Sequence, residues 1–387
     1  MGPNTNRAKY TDIQSALNAL IESRHGGIFI LDGVYTLPTT YLPDRDISVM
    51  GESMGGVELR NTANEQLFVL FDLTSNFNFS NFFVNSQNDG NTSDPLFRIN
   101  GTTAASNTSR VFIEKVKFAL KDTSTWAQTT GDCGIYCNRG QGSIVINNSY
   151  CEGGSYFVSI NEYEIFRMSQ CQTEDIMYAD VNAVDLNDVE VAGLVSKNFR
   201  FRCLRFYNSD IKKRCIIQAV NAVSKSNLIG SKYQQGALVR YYDLVNIISS
   251  IFEIANGCSG AGQTAGIDTY NCNQLLVDKN IISINITDTY QTRGIGLFNI
   301  NNGNVEGNNL RIDNTNIGQN HYGIFGQNLD DSVVNGNNVN MVNSGAKDVG
   351  YSWDATSTGN RGAGNLALNF GTAEIDLGGN SIDVNGA

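Results

Sequence analysis

Apolar residues along this chain come in short runs separated by turns rich in Asn, Gly and Ser, and towards the C-terminal end the runs recur at a fixed interval. Three segments line up: Gly266-Ile267-Asp268-Thr269-Tyr270, Gly294-Ile295-Gly296-Leu297-Phe298 and Gly323-Ile324-Phe325-Gly326-Gln327, at steps of 28 and 29 residues. Each opens a unit that passes through an Asn-rich turn into a second apolar strand, at Leu275–Asn280, Gly303–Asn308 and Ser332–Asn337. Self-similarity at such a period marks a stack of repeats, and strand-forming repeats predict a parallel β-helix. Earlier coils fit the same template. Their proposed starts are Gly134-Ile135-Tyr136, Tyr156-Phe157-Val158, Ile176-Met177-Tyr178, Cys215-Ile216-Ile217 and Ala237-Leu238-Val239. The second position is apolar throughout (Ile135, Phe157, Met177, Ile216, Leu238, Ile267, Ile295, Ile324), which predicts one wall of the core with alternate residues facing out.

The N-terminal end reads differently. Ile13, Ala16, Leu17 and Leu20 fall at helical spacing within 11–24, Thr11 is placed to cap the first turn, and Gly26-Gly27 ends the helix. Strands Ile28–Leu31 and Val34–Leu37 then flank the turn pair Asp32-Gly33. The matches Ile13-Gln14-Ser15-Ala16, Gly26-Gly27 and Gly33-Val34-Tyr35 resemble the N-terminal cap of the pectate-lyase-like β-helix superfamily. That resemblance implies an all-β, right-handed parallel β-helix (a solenoid) with an N-terminal capping α-helix. The physical reason for such a cap is that an uncovered coil end exposes apolar side chains and unpaired backbone groups. The expected layout is a cap over 1–37, the β-helix over 38–343, and a C-terminal cap or subunit-contacting strand over 344–387. Residues 196–214 are unusually basic and are expected to form an insertion or an irregular coil.

Composition supports this. All four prolines (Pro3, Pro38, Pro43, Pro95) lie in the first quarter, so no later residue lacks the backbone donor a continuous ladder needs. The net charge of −11 argues against nucleic acid as a partner, and no apolar run is long enough for membrane insertion. No signal peptide is visible, and the opening Met1-Gly2-Pro3 leaves localisation open. The eight cysteines are spaced as buried hydrophobes; the close pair Cys133 and Cys137 has no second pair or His beside it, so no metal and no cofactor are expected. Recurrent Asn at turns is expected to stack into amide ladders.

The scarcity of histidine (His25, His321) disfavours a Ser-His-Asp triad. Carboxylates, arginines and aromatics on the outer face remain. Third positions of the coils (Tyr136, Tyr178, Asp268) and fifth positions (Asn138, Asp180, Tyr241, Tyr270) should face out, with Glu162 beside the coil of Asp180. Glu162, Asp180 and Asp268 are the candidate catalytic carboxylates. Tyr136, Tyr178, Tyr241, Tyr270 and Arg240 are the candidate substrate-binding residues, because tyrosine offers a sugar both an apolar face and a hydroxyl. Stacked strands can hold two carboxylates at the spacing glycoside hydrolysis needs. A lyase would instead use a base such as Arg139, Arg240 or Arg293.

The proline-poor, Asn- and Gly-rich stack resembles the receptor-binding or depolymerase β-helix domains of bacteriophage tailspikes. That resemblance implies binding and cleavage of bacterial cell-surface polysaccharide, a homotrimer, and a virion or extracellular location. A non-catalytic receptor-binding or structural virion β-helix is the alternative, and a polysaccharide lyase or epimerase the second alternative.

Overall fold

A computed structural model of the chain describes residues 10, 12–22, 26–88, 95–101, 109–121, 133–224, 233–255, 263–286, 291–314, 320–343 and 347–386. Thr11, Cys258 and His25 lie outside these. The chain divides into two compact units, Met1–Asn187 and Asp188–Ala387. Among the described residues there is one α-helix and otherwise strand, and the strand pairs within each unit run parallel.

In the first unit the helix Ile13–Glu22 turns Ile13, Ala16, Leu17 and Leu20 inward, as the spacing predicts. The cap is Asp12, whose Oδ1 accepts the Ser15 backbone N–H at 2.6 Å. That hydrogen bond holds the Asp12 carboxyl below its ordinary range. The interior then fills with a phenylalanine stack. Phe68, Phe79, Phe97, Phe118 and Phe157 follow one another with ring centroids 5.0 to 5.8 Å apart. Edge-to-face and tilted contacts of this kind suit rings spaced by a strand separation.

The second unit repeats more strictly. Each coil carries three strand segments, for example 264–270, 272–278 and 281–286, with a corner at Asn271 (φ 54°) and a turn at Lys279 (φ 53°). The period read from sequence is the coil period. Ile267 pairs with Ile295 and Ile295 with Ile324, all three fully buried, while Val277, Val305 and Val334 stack on the second face. Burying each such side chain stabilises the unit by about 1.5–3 kcal/mol.

The glycine that opens each repeat has a steric cause. Gly236, Gly266, Gly294, Gly323 and Gly350 stack, and a Cβ on any of them would lie 2.3–2.6 Å from the side chain of Phe252, Ile282, Leu310, Val339 or Ala367 respectively. The third segment packs against backbone there, so no side chain fits.

The asparagine ladder is present and buried. Asn280, Asn308, Asn337 and Asn365 pass amide hydrogen bonds from Nδ2 to the next Oδ1 at 3.0, 2.9 and 3.1 Å. Each Oδ1 of Asn308, Asn337 and Asn365 also accepts the backbone N–H of the preceding member. The Nδ2 groups donate again to Ile247, Val277, Val305 and Val334 carbonyls. One side chain thus satisfies several backbone groups at a turn that has left the sheet.

Some expected positions shift. Ile135 pairs with Val158, not Phe157, and Ala237 rather than Leu238 stands opposite Ile267. Ile216 belongs to a different face, opposite Asn246, and is half-buried between the inward Cys215 and Ile217. Short apolar runs look alike, and a slip of one residue exchanges the faces. The basic segment is an irregular coil: Val195–Phe199 and Arg202–Gln218 are strands, with extra residues between Tyr207 and Lys212 where the next coil needs only Tyr241 between Arg240 and Tyr242. Parallel pairing continues past Asn343, with Tyr351 opposite Ile324 and Val384 opposite Asn365. The described cysteines are free and buried.

Replacing Asn308 with Ala removes the acceptor for Asn280 and the donor to Val277. Each lost partner of a buried group costs about 1–3 kcal/mol, so the urea midpoint should fall by the equivalent of about 3 kcal/mol. An unchanged midpoint would show that water replaces the ladder.

Candidate functional site

On the outer face of the second unit three columns of residues run across the coils. Arg202, Gln235, Ala265, Arg293 and Tyr322 are in register in one column. Arg205, Leu238, Asp268, Gly296 and Phe325 form the next, and Tyr207, Arg240, Tyr270, Phe298 and Gln327 the third. Neighbours in a column are a strand spacing apart, about 4.8 Å. Side chains from successive coils therefore touch.

Asp268 sits at the centre, fully buried under its neighbours. Its Oδ2 accepts Gln235 Nε2 at 2.8 Å and Arg293 Nη2 at 3.3 Å, and its Oδ1 accepts Arg293 Nε at 3.3 Å. Gln235 Oε1 in turn accepts Arg202 Nε at 2.7 Å. Arg293 also donates Nη2 to Gln263 Oε1 at 2.6 Å and Nη1 to Gln291 Oε1 at 3.3 Å. Burial would lower the Arg293 pKa, but the charge and hydrogen bonds of Asp268 outweigh it and raise it. The arrangement makes Asp268 the group that orients Arg293: a fork-shaped guanidinium held by a carboxylate is fixed in plane and direction.

Gly296 makes this possible. A Cβ there would stand 2.2 Å from Asp268 Oδ1 and 3.0 Å from Arg293 Nε. The carboxylate and guanidinium occupy the volume a side chain at 296 would need.

Around this network lie aromatic rings. Tyr270 and Phe298 stack face to face, centroids 4.3 Å apart and planes at 6°. Phe325 follows at 5.6 Å, with Tyr322 5.0 Å from it. The Arg240 guanidinium carbon lies 4.2 Å from the Tyr270 centroid and 5.5 Å from that of Tyr207. Arg293 lies 4.9 Å from the Phe298 centroid. Arginine over aromatic faces is favourable and costs the ring no hydrogen bond. Burial first, and the Asp268 charge second, push the Tyr270 phenol up to about 12.

The structure thus brings Asp268, Tyr270 and Arg240 together. Tyr241 occupies the corner of the preceding coil (φ 61°), where the following coils carry Asn271, Asn299 and Asn328. Its backbone carbonyl accepts Asn208 Nδ2 at 3.2 Å. The other expected residues belong to the first unit. Tyr136 is half-buried, in register with Arg98 and Ser159. Tyr178 is buried, its ring 5.0 Å from that of Tyr156. Asp180 does not face solvent. It lies between Ala179, opposite Tyr156, and Val181, opposite Val158, and is fully buried. The mistaken facing comes from the expected start of the coil: Ile176-Met177-Tyr178 precede the strand Ala179–Val184, and Val181, four residues after Met177, stands in the column of Ile135 and Val158. Glu162 is a corner residue (φ 54°) flanked by the pairs Asn138–Asn161 and Gly140–Tyr163, and so stacks on the corner residue Arg139 (φ 52°). Its Oε2 is 3.5 Å from Arg139 Nε, both side chains being well exposed.

Arg202, Gln235, Phe298 and Phe325 were not singled out by the sequence pattern. Arg293 was, as a base. The aligned repeats did put Asp268, Gly296 and Phe325 in one column, and the basic run did contain Arg202 and Arg205. Neither signal shows that Gln235 bridges two coils. Among the described residues no group of His, Cys, Asp and Glu is arranged to hold a metal ion, and no helix is long and apolar enough to cross a membrane.

No protein family and no curated protein matches this chain. Solved structures do. The A-module of the Azotobacter vinelandii mannuronan C-5 epimerase AlgE6 superposes with TM-score 0.58 at 13% identity, over 94% of each chain. Tailspike protein 3 of bacteriophage CBA120 gives 0.45 at 11% identity, over 98% of this chain and 57% of that one. The catalytic domain of a GH87 α-1,3-glucanase gives 0.42 at 11% identity, over 98% and 67%. The first of these likenesses establishes a right-handed parallel β-helix fold and nothing about chemistry.

Two outcomes follow from the geometry. Asp268→Asn should destabilise the protein by about 3 kcal/mol in chemical denaturation, because it leaves the buried Arg293 charge uncompensated. In an ultraviolet pH titration, the difference between wild type and Tyr270→Phe should appear with a midpoint about 12. A midpoint near 10 would mean that the phenol is solvated.

Proposed function

We propose that this chain recognises a bacterial cell-surface polysaccharide along the outer sheet face of its second unit, in the manner of a phage tailspike receptor-binding domain. The observation that carries this reading is the pair of part-exposed rings Tyr270 and Phe325, braced by the buried Phe298 between them and set beside the part-exposed Arg240 across consecutive coils. Pyranose rings present apolar C–H faces and a rim of hydroxyls, and a row of aromatics edged by guanidinium donors meets both. The repeat of the coils matches a ligand that itself repeats. The working form we propose is a homotrimer, on the virion or outside the cell.

Depolymerisation is a second reading. One observation favours it: Glu162 presents an exposed carboxylate beside a cation. Asp180 and Asp268 are enclosed, so their part in hydrolysis would require the surface over them to open. The Asp268 network reads more directly as support for binding than as an acid–base pair.

The test is incubation with a panel of bacterial capsules and lipopolysaccharides, read by binding and by glycan size. At least one glycan should bind, and Tyr270→Ala and Phe298→Ala should each weaken it about tenfold, the equivalent of about 1.4 kcal/mol. Failure to bind any member of the panel would remove the proposal. If a bound glycan is shortened, Glu162→Gln should stop the shortening while leaving binding intact. Unchanged cleavage would exclude Glu162 as the acid.

A further inference from the structure

Resting on the glycan-binding reading above, we infer that the polysaccharide is anionic, and that Arg240 reads a carboxylate or other acidic substituent on its sugars. The charge on this face is opposite to that of the molecule. The chain as a whole carries −11, from 27 Lys and Arg against 38 Asp and Glu. The three outer columns carry Arg202, Arg205, Arg240 and Arg293 against Asp268 alone; Arg202 and Arg293 are buried, and the part-exposed cations are Arg205 and Arg240. A neutral glycan does not call for a cationic strip on an acidic protein. A polyanion does, and the acidic remainder of the surface confines it to that strip.

The arginines differ in what they meet. Arg293 is committed: its fork is closed by Asp268, Gln263 and Gln291. Arg202 donates to Gln235. Arg240 instead packs against Tyr270 at 4.2 Å and Tyr207 at 5.5 Å; its Nε is buried without a hydrogen-bond partner, and among the described residues no carboxylate pairs with it. Two rings fix the plane of its guanidinium without using up its charge. A guanidinium held in plane between apolar walls, with edge donors available, is pre-organised for bidentate capture of a planar carboxylate, and tolerates a sulfate or phosphate in the same place. The neighbouring part-exposed Phe325 ring then takes the C–H face of the adjoining sugar. Asp268 does not repel the ligand, because Arg293 and Gln235 neutralise and cover it.

The experiment uses acidic capsular polysaccharides from the same panel, each in native form and after carbodiimide activation and borohydride reduction of its carboxylates to neutral alcohols. Binding to the full chain is measured at two salt concentrations. Wild type should bind the native form at least tenfold more tightly than the reduced one. Arg240→Met should lose about the same factor on the native glycan, lose much less on the reduced glycan, and weaken the salt dependence. Arg240→Lys, which keeps the charge but not the fork, should fall between. Near-ultraviolet circular dichroism and the thermal midpoint check that both variants are folded. Equal binding of native and reduced glycans, or equal binding by wild type and Arg240→Met, overturns the inference while leaving glycan recognition standing. Binding to no glycan at all overturns both.

Discussion

Everything in this protein depends on the parallel hydrogen-bond ladder between successive coils. Each strand segment is fixed, residue for residue, against the segment one coil away, as Ile267 is against Ile295 and Ile324. The constraint acts in columns. A position that faces inward in one coil faces inward in the next, so the core becomes stacks of like residues. A position at a turn must solve the same backbone problem in every coil. The buried ladder of Asn280, Asn308, Asn337 and Asn365 and the glycine column ending at Gly350 are two such solutions. Neither is a site. Both follow from repetition.

The same constraint makes departures informative. In the column of Asp268 the residues are Arg205, Leu238, Asp268, Gly296 and Phe325, with no two alike. Core columns are conservative by comparison, because each member must fill the same space. Where adjacent coils supply an acid, a gap and a ring, they build something no single coil contains: a carboxylate lodged in the space above a glycine, holding an arginine. The left-handed corners carry the opposite lesson. Glu162, Arg139 and Tyr241 all adopt φ near +55°, and such backbone in isolation suggests functional strain. Here it recurs at Asn271, Asn299 and Asn328, the same corner of later coils, so it belongs to the fold.

Sequence pattern made the fold legible because the coil period, the inward positions and the capping helix are all local and repetitive. The three best-aligned repeats paired as expected to the residue. Weaker repeats slipped by one position, at Phe157 and Leu238, where flanking residues are equally apolar and nothing in the chain marks which one faces in. In the coil of Asp180 the expected start is misplaced by four residues, Val181 rather than Met177 standing opposite Val158, so Asp180 was expected on the surface and is found buried. The candidate site was legible in part. Asp268 and Tyr270 could be named from alternation alone; Arg240 was named by residue type, because the slip at Leu238 turned Tyr241 outward in its place. Gln235 and Arg202 could not, because their role depends on contacts across coils, and amide bridges leave no periodic trace. The helix cap at Asp12 was missed for a similar reason, since adjacent Thr and Asp are equally suitable by type.

The extra residues between Tyr207 and Lys212 carry one more consequence. In a stack whose strands are held in register, a corner is where chain can be added without disturbing any ladder, because corner residues are not paired between strands. This added segment ends in the solvent-exposed Ile211 and follows directly on Tyr207, one wall of the Arg240 sandwich. A solenoid can therefore acquire new specificity by lengthening corners while its core columns stay unchanged. Adaptation and stability are thereby assigned to different residues of the same coil.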